Sequence, residues 1–307
     1  MPPIKFTGDP IVKRLRWVMT GAILFSMILT LAGQPESFWL HPATAIRGDG
    51  LSIYNPTNPC FEFFLGRGWQ LFLLASLVYC GLAFLLVSLL PRRASLIVIF
   101  SVILGHYFGG SNWLAIHWHL GIPGPSLYGM ALGLLIVLSA FPEPGPETDR
   151  GIKNLRWVML AAMALDTTVT LLGQPAGYFH HPERVHEGNS FSYFLLSHGW
   201  YAYLSAHLVL FAGLFRLVPV LSRFWGMLVV FYFGLTGFIG GSNWFFFEWR
   251  MGMQTPVLYG IILSVSIVSL AFSHGPATDG SPDPGRQPQE PGGPARAGLG
   301  LSAGCCS

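Results

Sequence analysis

Charged residues are scarce in this sequence. They make up 10% of the 307 residues, and hydrophobic residues make up 52%. Typical soluble domains carry about 25% charged residues. Apolar runs close to the length of a membrane-spanning helix, roughly 20 residues, recur along the chain. The composition therefore predicts an integral membrane protein surrounded mainly by the lipid bilayer, and it leaves no sizeable soluble domain.

Recognisable motifs of chemistry are also few. The four cysteines, Cys60, Cys80, Cys305 and Cys306, form no metal-binding motif, and the sequence has no P-loop, H-E-x-x-H or C-x-x-C pattern. The net charge of +3 is small, and no basic cluster typical of nucleic-acid binding is present. These absences argue against several enzyme classes and against a nucleic-acid partner, and they assign no cofactor.

Short segments of the first half recur, in the same order, in the second half. The offset is 140 residues at first and 131 later, because the second copy is nine residues shorter in one loop. Such ordered matches are not expected by chance and indicate a tandem repeat. The matches are LRWVM at 15–19 and 155–159, GQP at 33–35 and 173–175, HP at 41–42 and 181–182, GW at 68–69 and 199–200, GGSNW at 109–113 and 240–244, and LYG at 127–129 and 258–260.

Each copy contains four apolar runs separated by Pro, Gly and charged residues. The fold class predicted is therefore all-α integral membrane, with eight transmembrane helices in two parallel repeats of four, residues 1–146 and 147–273. An even number of helices returns the chain to its starting side, so a pseudo-twofold axis along the membrane normal is expected. Residues 274–307 are rich in Pro and Gly and are expected to form a disordered cytoplasmic tail. The runs are 15–33, 68–90, 94–117 and 125–141, then 155–173, 199–221, 224–247 and 256–272.

The basic residues are distributed unevenly between the two sides that this topology predicts. One side receives only four, Arg47, Arg67, Arg184 and Arg250, and the other receives the remaining Lys and Arg residues, both termini included. Positive residues near helix ends favour the cytoplasm. We therefore expect a multi-pass protein of the plasma or inner membrane with both termini cytoplasmic.

The two GGSNW segments are predicted near the outer ends of the third and seventh spanning helices. Paired glycines can loosen a helix end, and Asn112 and Asn243 add amide groups that can hold a ligand beside Trp113 and Trp244. The alternative is a plain helix terminus followed by an interfacial tryptophan anchor.

Three ionisable residues within apolar runs extend this candidate ligand-binding site. Asp166 matches Ser26 of the first copy and is costly inside a membrane, where such a group usually faces an interior partner or water. His207 is a candidate partner for Asp166, and His106 matches Gly237, which suggests that the glycine makes room for the imidazole. Glu248, matching His117, adds an acidic group at the outer end. The alternative for Asp166 is a neutral side chain or a local hydrogen bond.

These features favour an outward-facing polar site between the repeats that binds or transports a small solute, with proton coupling through the buried Asp and His residues. A second hypothesis is a membrane redox protein, with His106 and His207 as axial haem ligands or with loop histidines binding a metal. A third is a membrane scaffold that assembles through a small-residue face formed by Gly234, Gly237 and Gly240.

Overall fold

The structure is a computed structural model that describes residues 8–41, 63–141 and 146–272. Within them, eight helices are long and apolar enough to cross a membrane, which confirms the predicted number of spans. The protein is therefore a multi-pass membrane protein. The predicted tail and loop residues Pro42, Arg47 and Cys60 lie outside the described residues. The spanning helices are α1 Pro10–Ala32, α2 Trp69–Leu89, α3 Arg92–Asn112, α4 Pro123–Ala140, α5 Pro146–Leu172, α6 Trp200–Leu217, α7 Arg223–Asn243 and α8 Gln254–Ala271.

The helix boundaries follow local chemistry. Asp9 caps α1 by accepting hydrogen bonds from the backbone N–H groups of Ile11 and Val12. Gly68 and Gly199, the residues before α2 and α6, have φ of 123° and 109°, a backbone conformation that side chains disfavour. The repeated Gly-Trp pairs therefore mark the points at which α2 and α6 begin.

Two helices change their winding at one end. The π-helix Trp113–His117 continues α3, and the π-helix Trp244–Glu248 continues α7. His119 and Arg250, two residues beyond each π-helix, have φ near 50°. π-Helical turns are rare and occur often at functional sites. These two helix ends are therefore candidate positions for a functional site.

The helices share one hydrophobic core to which all eight contribute. In it, α1 packs against α3 and α4, and α5 packs against α7 and α8, while α8 also packs on α3 and α4 on α7. The helix α6 is the least buried, and its Leu208 and Val209 are exposed. Because exposed leucine and valine are stable next to acyl chains, this helix presents its apolar side to lipid.

The bundle has two chemically different ends. At one end, Arg92 forms an ion pair with Asp9 at 2.7 Å and Arg16 donates to Ser88. These contacts bring together the starts of α1 and α3 and the end of α2, and we call this the basic end. The opposite end carries both GQP and both GGSNW segments, and we call it the motif end.

Candidate functional site

The tryptophans of the two GGSNW segments pack on the glycines of the two GQP segments. A Cβ atom added to Gly33 would overlap the ring of Trp113, and one added to Gly173 would overlap Trp244. Both rings are buried, at 3% and 7% exposure. Trp113 and Trp244 therefore join α1 to α3 and α5 to α7 within the protein, and the alternative of an interfacial anchor does not describe them.

The asparagines of the two GGSNW segments differ in their hydrogen bonding. The amide of Asn112 is buried and donates to the carbonyl oxygen of Phe108 at 3.0 Å. The Oδ1 atom of Asn243 is buried and has no hydrogen-bond partner among the described residues. An unsatisfied buried acceptor is costly. No described residue meets the hydrogen-bonding capacity of Asn243 Oδ1, whereas the amide of Asn112 is bonded to the backbone.

The first glycine of the second GGSNW segment accommodates Asp166. A Cβ atom added to Gly240 would overlap the Asp166 carboxylate, whereas one added to Gly109 would lie 3.7 Å from Oγ of Ser26. The second glycine, Gly241, lies against both the Asp166 backbone and the ring of Tyr259. The carboxylate of Asp166 thus occupies a recess between α5 and α7 that glycine creates.

The groups around Asp166 are hydroxyls and another acid. The Thr170 hydroxyl lies within hydrogen-bonding range of the carboxylate, and Tyr203 and Tyr259 interact with it electrostatically. Glu187, from the loop after α5, also interacts with it electrostatically. No basic side chain forms an ion pair with Asp166 in the described part of the chain.

The predicted Asp166–His207 pair is not formed. Nδ1 of His207 lies 2.9 Å from the carbonyl oxygen of Tyr203, one turn earlier on α6, and its ring lies 4.0 Å from the Tyr203 ring. Tyr203 also interacts with Asp166. Tyr203 thus interacts with both residues, through its ring with the imidazole and electrostatically with Asp166, and its hydroxyl lies on the side of Thr170 and Thr167.

His106 lies away from this cluster. Its ring centroid is 5.8 Å from that of Tyr79 on α2. Gly237 instead packs on the α5 backbone, where an added Cβ would lie 2.8 Å from atoms of Ala162 and Met163. The predicted accommodation of His106 by Gly237 is thus wrong, since the glycine serves the close contact of α7 with α5. No hydrogen bond or ring contact joins His106 to His207 within the described residues.

Glu248 lies at the motif end beside a loop residue that the sequence had not singled out. Its Oε1 is 3.0 Å from Nε2 of His186, and both side chains are partly exposed. The backbone of His186 is held in turn by Gln174: the side-chain amide of Gln174 donates to the His186 carbonyl oxygen at 3.0 Å and accepts from its N–H at 2.9 Å. These contacts hold His186, the residue before Glu187, close to the ends of α5 and α7.

Glu187 is the second acid of the cluster. Burial raises the pKa of its carboxyl, and hydrogen bonds from the backbone of Asn189 and Gly188 oppose that rise. His186 and Glu248 also act on it electrostatically. Glu187 thus interacts electrostatically with both Glu248 and Asp166.

Sequence reasoning named Asp166, Asn243, Trp244 and Glu248 as candidates and did not name the residues around Asp166. It overlooked Thr170, Tyr203 and Tyr259, which are unremarkable in apolar runs, and Glu187, which lies in a loop without a match. The LYG repeat was the sequence signal that could have indicated Tyr259. In the structure, the hydroxyls of its two tyrosines, Tyr128 and Tyr259, are buried and have no partner among the described residues.

The cluster belongs to the C-terminal half, α5–α8. No hydrogen bond, ring contact or charge interaction connects Asp166 to His106 or Asn112 in the described residues. Nor do these residues hold a group of three or more His, Cys, Asp or Glu side chains suited to a metal ion. No family model, curated protein or solved structure matches the chain.

Proposed function

We propose that this membrane protein binds, and carries across the bilayer, a small polar solute at the cluster around Asp166. One observation carries the proposal: a carboxylate on a spanning helix lies in a recess formed by Gly240, among hydroxyls and without a basic partner in the described residues. An ionisable group inside a membrane is costly and usually marks a pathway for an ion, a proton or a substrate.

The surrounding groups suit a ligand with hydrogen-bond donors. The carboxylate and Oδ1 of Asn243 accept hydrogen bonds, and the hydroxyls of Thr170, Tyr203 and Tyr259 both donate and accept. A bound amine or hydroxyl would satisfy the unpaired atoms of Asn243 and Tyr259. A proton on Asp166 would remove its charge when the solute leaves. Proton-coupled transport of a small solute is the form of the proposal that follows.

We also infer that the two halves are tandem copies related by a pseudo-twofold axis along the membrane normal. In the two halves, α1 corresponds to α5, α3 to α7 and α4 to α8. The contact of α3 with α8 therefore corresponds to that of α7 with α4, and the contact of α1 with α3 corresponds to that of α5 with α7. Gly33 with Trp113 and Gly173 with Trp244 repeat the same contact. The first half has Ser26 at the position that Asp166 occupies in the second half, so only the second half has the acidic site.

For the orientation, we propose that the basic end faces the cytoplasm of a plasma or inner membrane. Arg16, Arg92, Lys153, Arg216 and Arg223 are at or near helix ends on that side, and positive residues close to spanning helices favour the cytoplasm. The Asp166 cluster, near the motif end, then opens toward the outside.

A solute screen tests the proposal. The purified protein is heated with a panel of amino acids, amines, sugars and inorganic cations, since a bound ligand raises the unfolding temperature. We expect a solute that stabilises the native protein and fails to stabilise Asp166→Asn. Glu183→Gln, which alters an exposed carboxylate of the same half, is the matched control and should respond like the native protein. An equal response of Asp166→Asn would contradict the proposal.

A further inference from the structure

We propose that residues 186–188 form a gate over the Asp166 cluster, closed in this structure and latched through His186. We call these three residues the strap. The inference rests on the proposed function, because it describes how a solute reaches that same site. It is carried by hydrogen bonds between the strap and the residues that follow the two helices of the recess, Gln174 after α5 and Glu248 after α7.

The first latch joins the strap to α5. Gln174 is the second residue after α5, is 8% exposed and is bonded to both backbone groups of His186. Its Nε2 also donates to the carbonyl oxygen of Thr170, in the last turn of the helix. The strap is therefore attached to the helix that carries Asp166.

The second latch joins the strap to the extension of α7. Nε2 of His186 contacts Oε1 of Glu248 at 3.0 Å, and Glu248 ends the π-helix that continues from Gly240 and Asn243. Both side chains are partly exposed, 61% for His186 and 40% for Glu248. Contacts between exposed groups of this kind contribute little free energy, so this latch can open readily.

The segments on both sides of the strap are fixed, and its last residue, Gly188, is not packed. Val185, just before it, packs on the apolar cluster of Tyr178, Leu196 and Tyr203. Asn189, just after it, caps the short helix Ser190–Ser197 with its side chain. A Cβ atom added to Gly188 would meet nothing within 4 Å. The strap therefore has two anchored ends and a polar latch, and the edge of the His186 ring faces Trp244 with the centroids 6.5 Å apart.

The middle residue of the strap interacts with the site. Glu187 is partly buried and interacts with Asp166, whereas His186 beside it is exposed. The charged and titratable groups that act on Glu187 are Asp166, Glu248, His186 and Tyr203. Moving the strap outward withdraws Glu187 from Asp166 and opens the recess to water.

A labelling experiment measures opening without knowledge of the solute. Thr170→Cys serves as the reporter in a protein whose own cysteines are replaced by serine, and a charged methanethiosulfonate reagent is added to the purified protein. Thr170 is 2% exposed, so its labelling requires opening. We expect Gln174→Ala and Glu248→Ala to raise the labelling rate about threefold or more. The matched control is Glu183→Ala, which removes the other His–Glu contact of the loop, with His181, and should leave the rate unchanged.

Hydrogen exchange of the unaltered protein tests the gate without variants, which could fold poorly. The amide of His186, bonded to Gln174, should exchange its hydrogen faster than the amide of Tyr193, bonded to Asn189 within the adjacent short helix. Equal exchange rates, or a Thr170→Cys labelling rate that is the same in all variants, would overturn the gate. Labelling that depends on the latch while Asp166→Asn keeps its solute response would overturn the proposed function alone.

Discussion

Gly240 on α7 lies so close to Asp166 on α5 that a Cβ atom at the glycine would overlap the carboxylate. The same pair of positions in the N-terminal half, Gly109 and Ser26, leaves 3.7 Å for such an atom. The two glycines are therefore identical in sequence context and different in what they accommodate. A substitution at Gly109 is therefore the control for the same substitution at Gly240.

Replacing Gly240 by alanine should force Asp166 out of its recess. Overpacking of a close contact costs about 1–3 kcal/mol, and this should appear as a loss of stability in mixed-micelle unfolding together with loss of solute binding. Gly109→Ala should change stability by less than about 1 kcal/mol, in the favourable direction that alanine brings to a helix. Partial rescue of Gly240→Ala by Asp166→Ala is expected, because the two residues touch. Equal effects at both glycines would contradict the assignment.

The sequence pointed to Asp166 because an acid within an apolar run is conspicuous. It pointed to Gly240 only as part of a repeated motif, since nothing in the spacing shows which residue of α5 the glycine faces. The choice of His207 as partner was wrong, because the imidazole contacts the backbone and ring of Tyr203 on its own helix. Partners across helices depend on helix rotation, which composition does not determine.

The glycines of the GQP segments should be as intolerant of substitution as Gly240. An added Cβ at Gly33 or Gly173 would overlap Trp113 or Trp244, so Gly33→Ala and Gly173→Ala should each destabilise by about 1–3 kcal/mol. Gly213→Ala on α6 is the control, because an added Cβ there meets nothing within 4 Å. Unfolding in mixed micelles measures all three. A loss at Gly213 as large as that at Gly173 would show that the tryptophan contact is not the cause.

Stability should depend on pH through Glu187. Burial raises the pKa of this carboxyl above its ordinary value of 4.5, so the folded state favours the protonated form. Its contribution to stability is present below pH 4.5 and is lost as the pH rises through the raised value. Glu187→Gln, which keeps an acceptor for the Asn189 N–H, should therefore be more stable than the native protein at neutral pH and no more stable at pH 4.

The control for that measurement is Glu183→Gln. Hydrogen bonding to the backbone and to His181 lowers the pKa of the exposed Glu183 carboxyl, so this variant should give no gain at neutral pH. Melting curves recorded across this pH range test both variants. A gain at neutral pH from Glu183→Gln that equals the gain from Glu187→Gln would rule out burial of Glu187 as the cause.

The orientation can be tested with the native cysteines. Cys60 lies in the sequence between α1 and α2, and Cys305 and Cys306 follow α8; all three lie outside the described residues. If the basic end is cytoplasmic, a membrane-impermeant maleimide should label a Cys60-only variant on intact cells. A variant with only Cys305 and Cys306 should react after permeabilisation alone. The opposite pattern would reverse the proposed orientation.

The lengths of the apolar runs predicted the number of spanning helices but not the residues at which these helices begin and end. The run predicted at 155–173 is the apolar part of α5, which begins at Pro146 because polar residues extend the helix beyond it. The run at 94–117 agrees with α3 and its π-helix, but hydrophobicity does not distinguish π from α winding. The short helix Ser190–Ser197 starts at an Asn189 cap that the sequence analysis did not use.

The affinity of Asp166→Asn for a solute found in the screen tests most directly whether Asp166 binds that solute. Removing the charge while keeping the shape should weaken binding at least tenfold, about 1.4 kcal/mol, in a calorimetric titration of the purified protein. Asp9→Asn, which changes a carboxylate at the basic end, should bind with native affinity. Equal affinities of the native protein and Asp166→Asn would contradict the account.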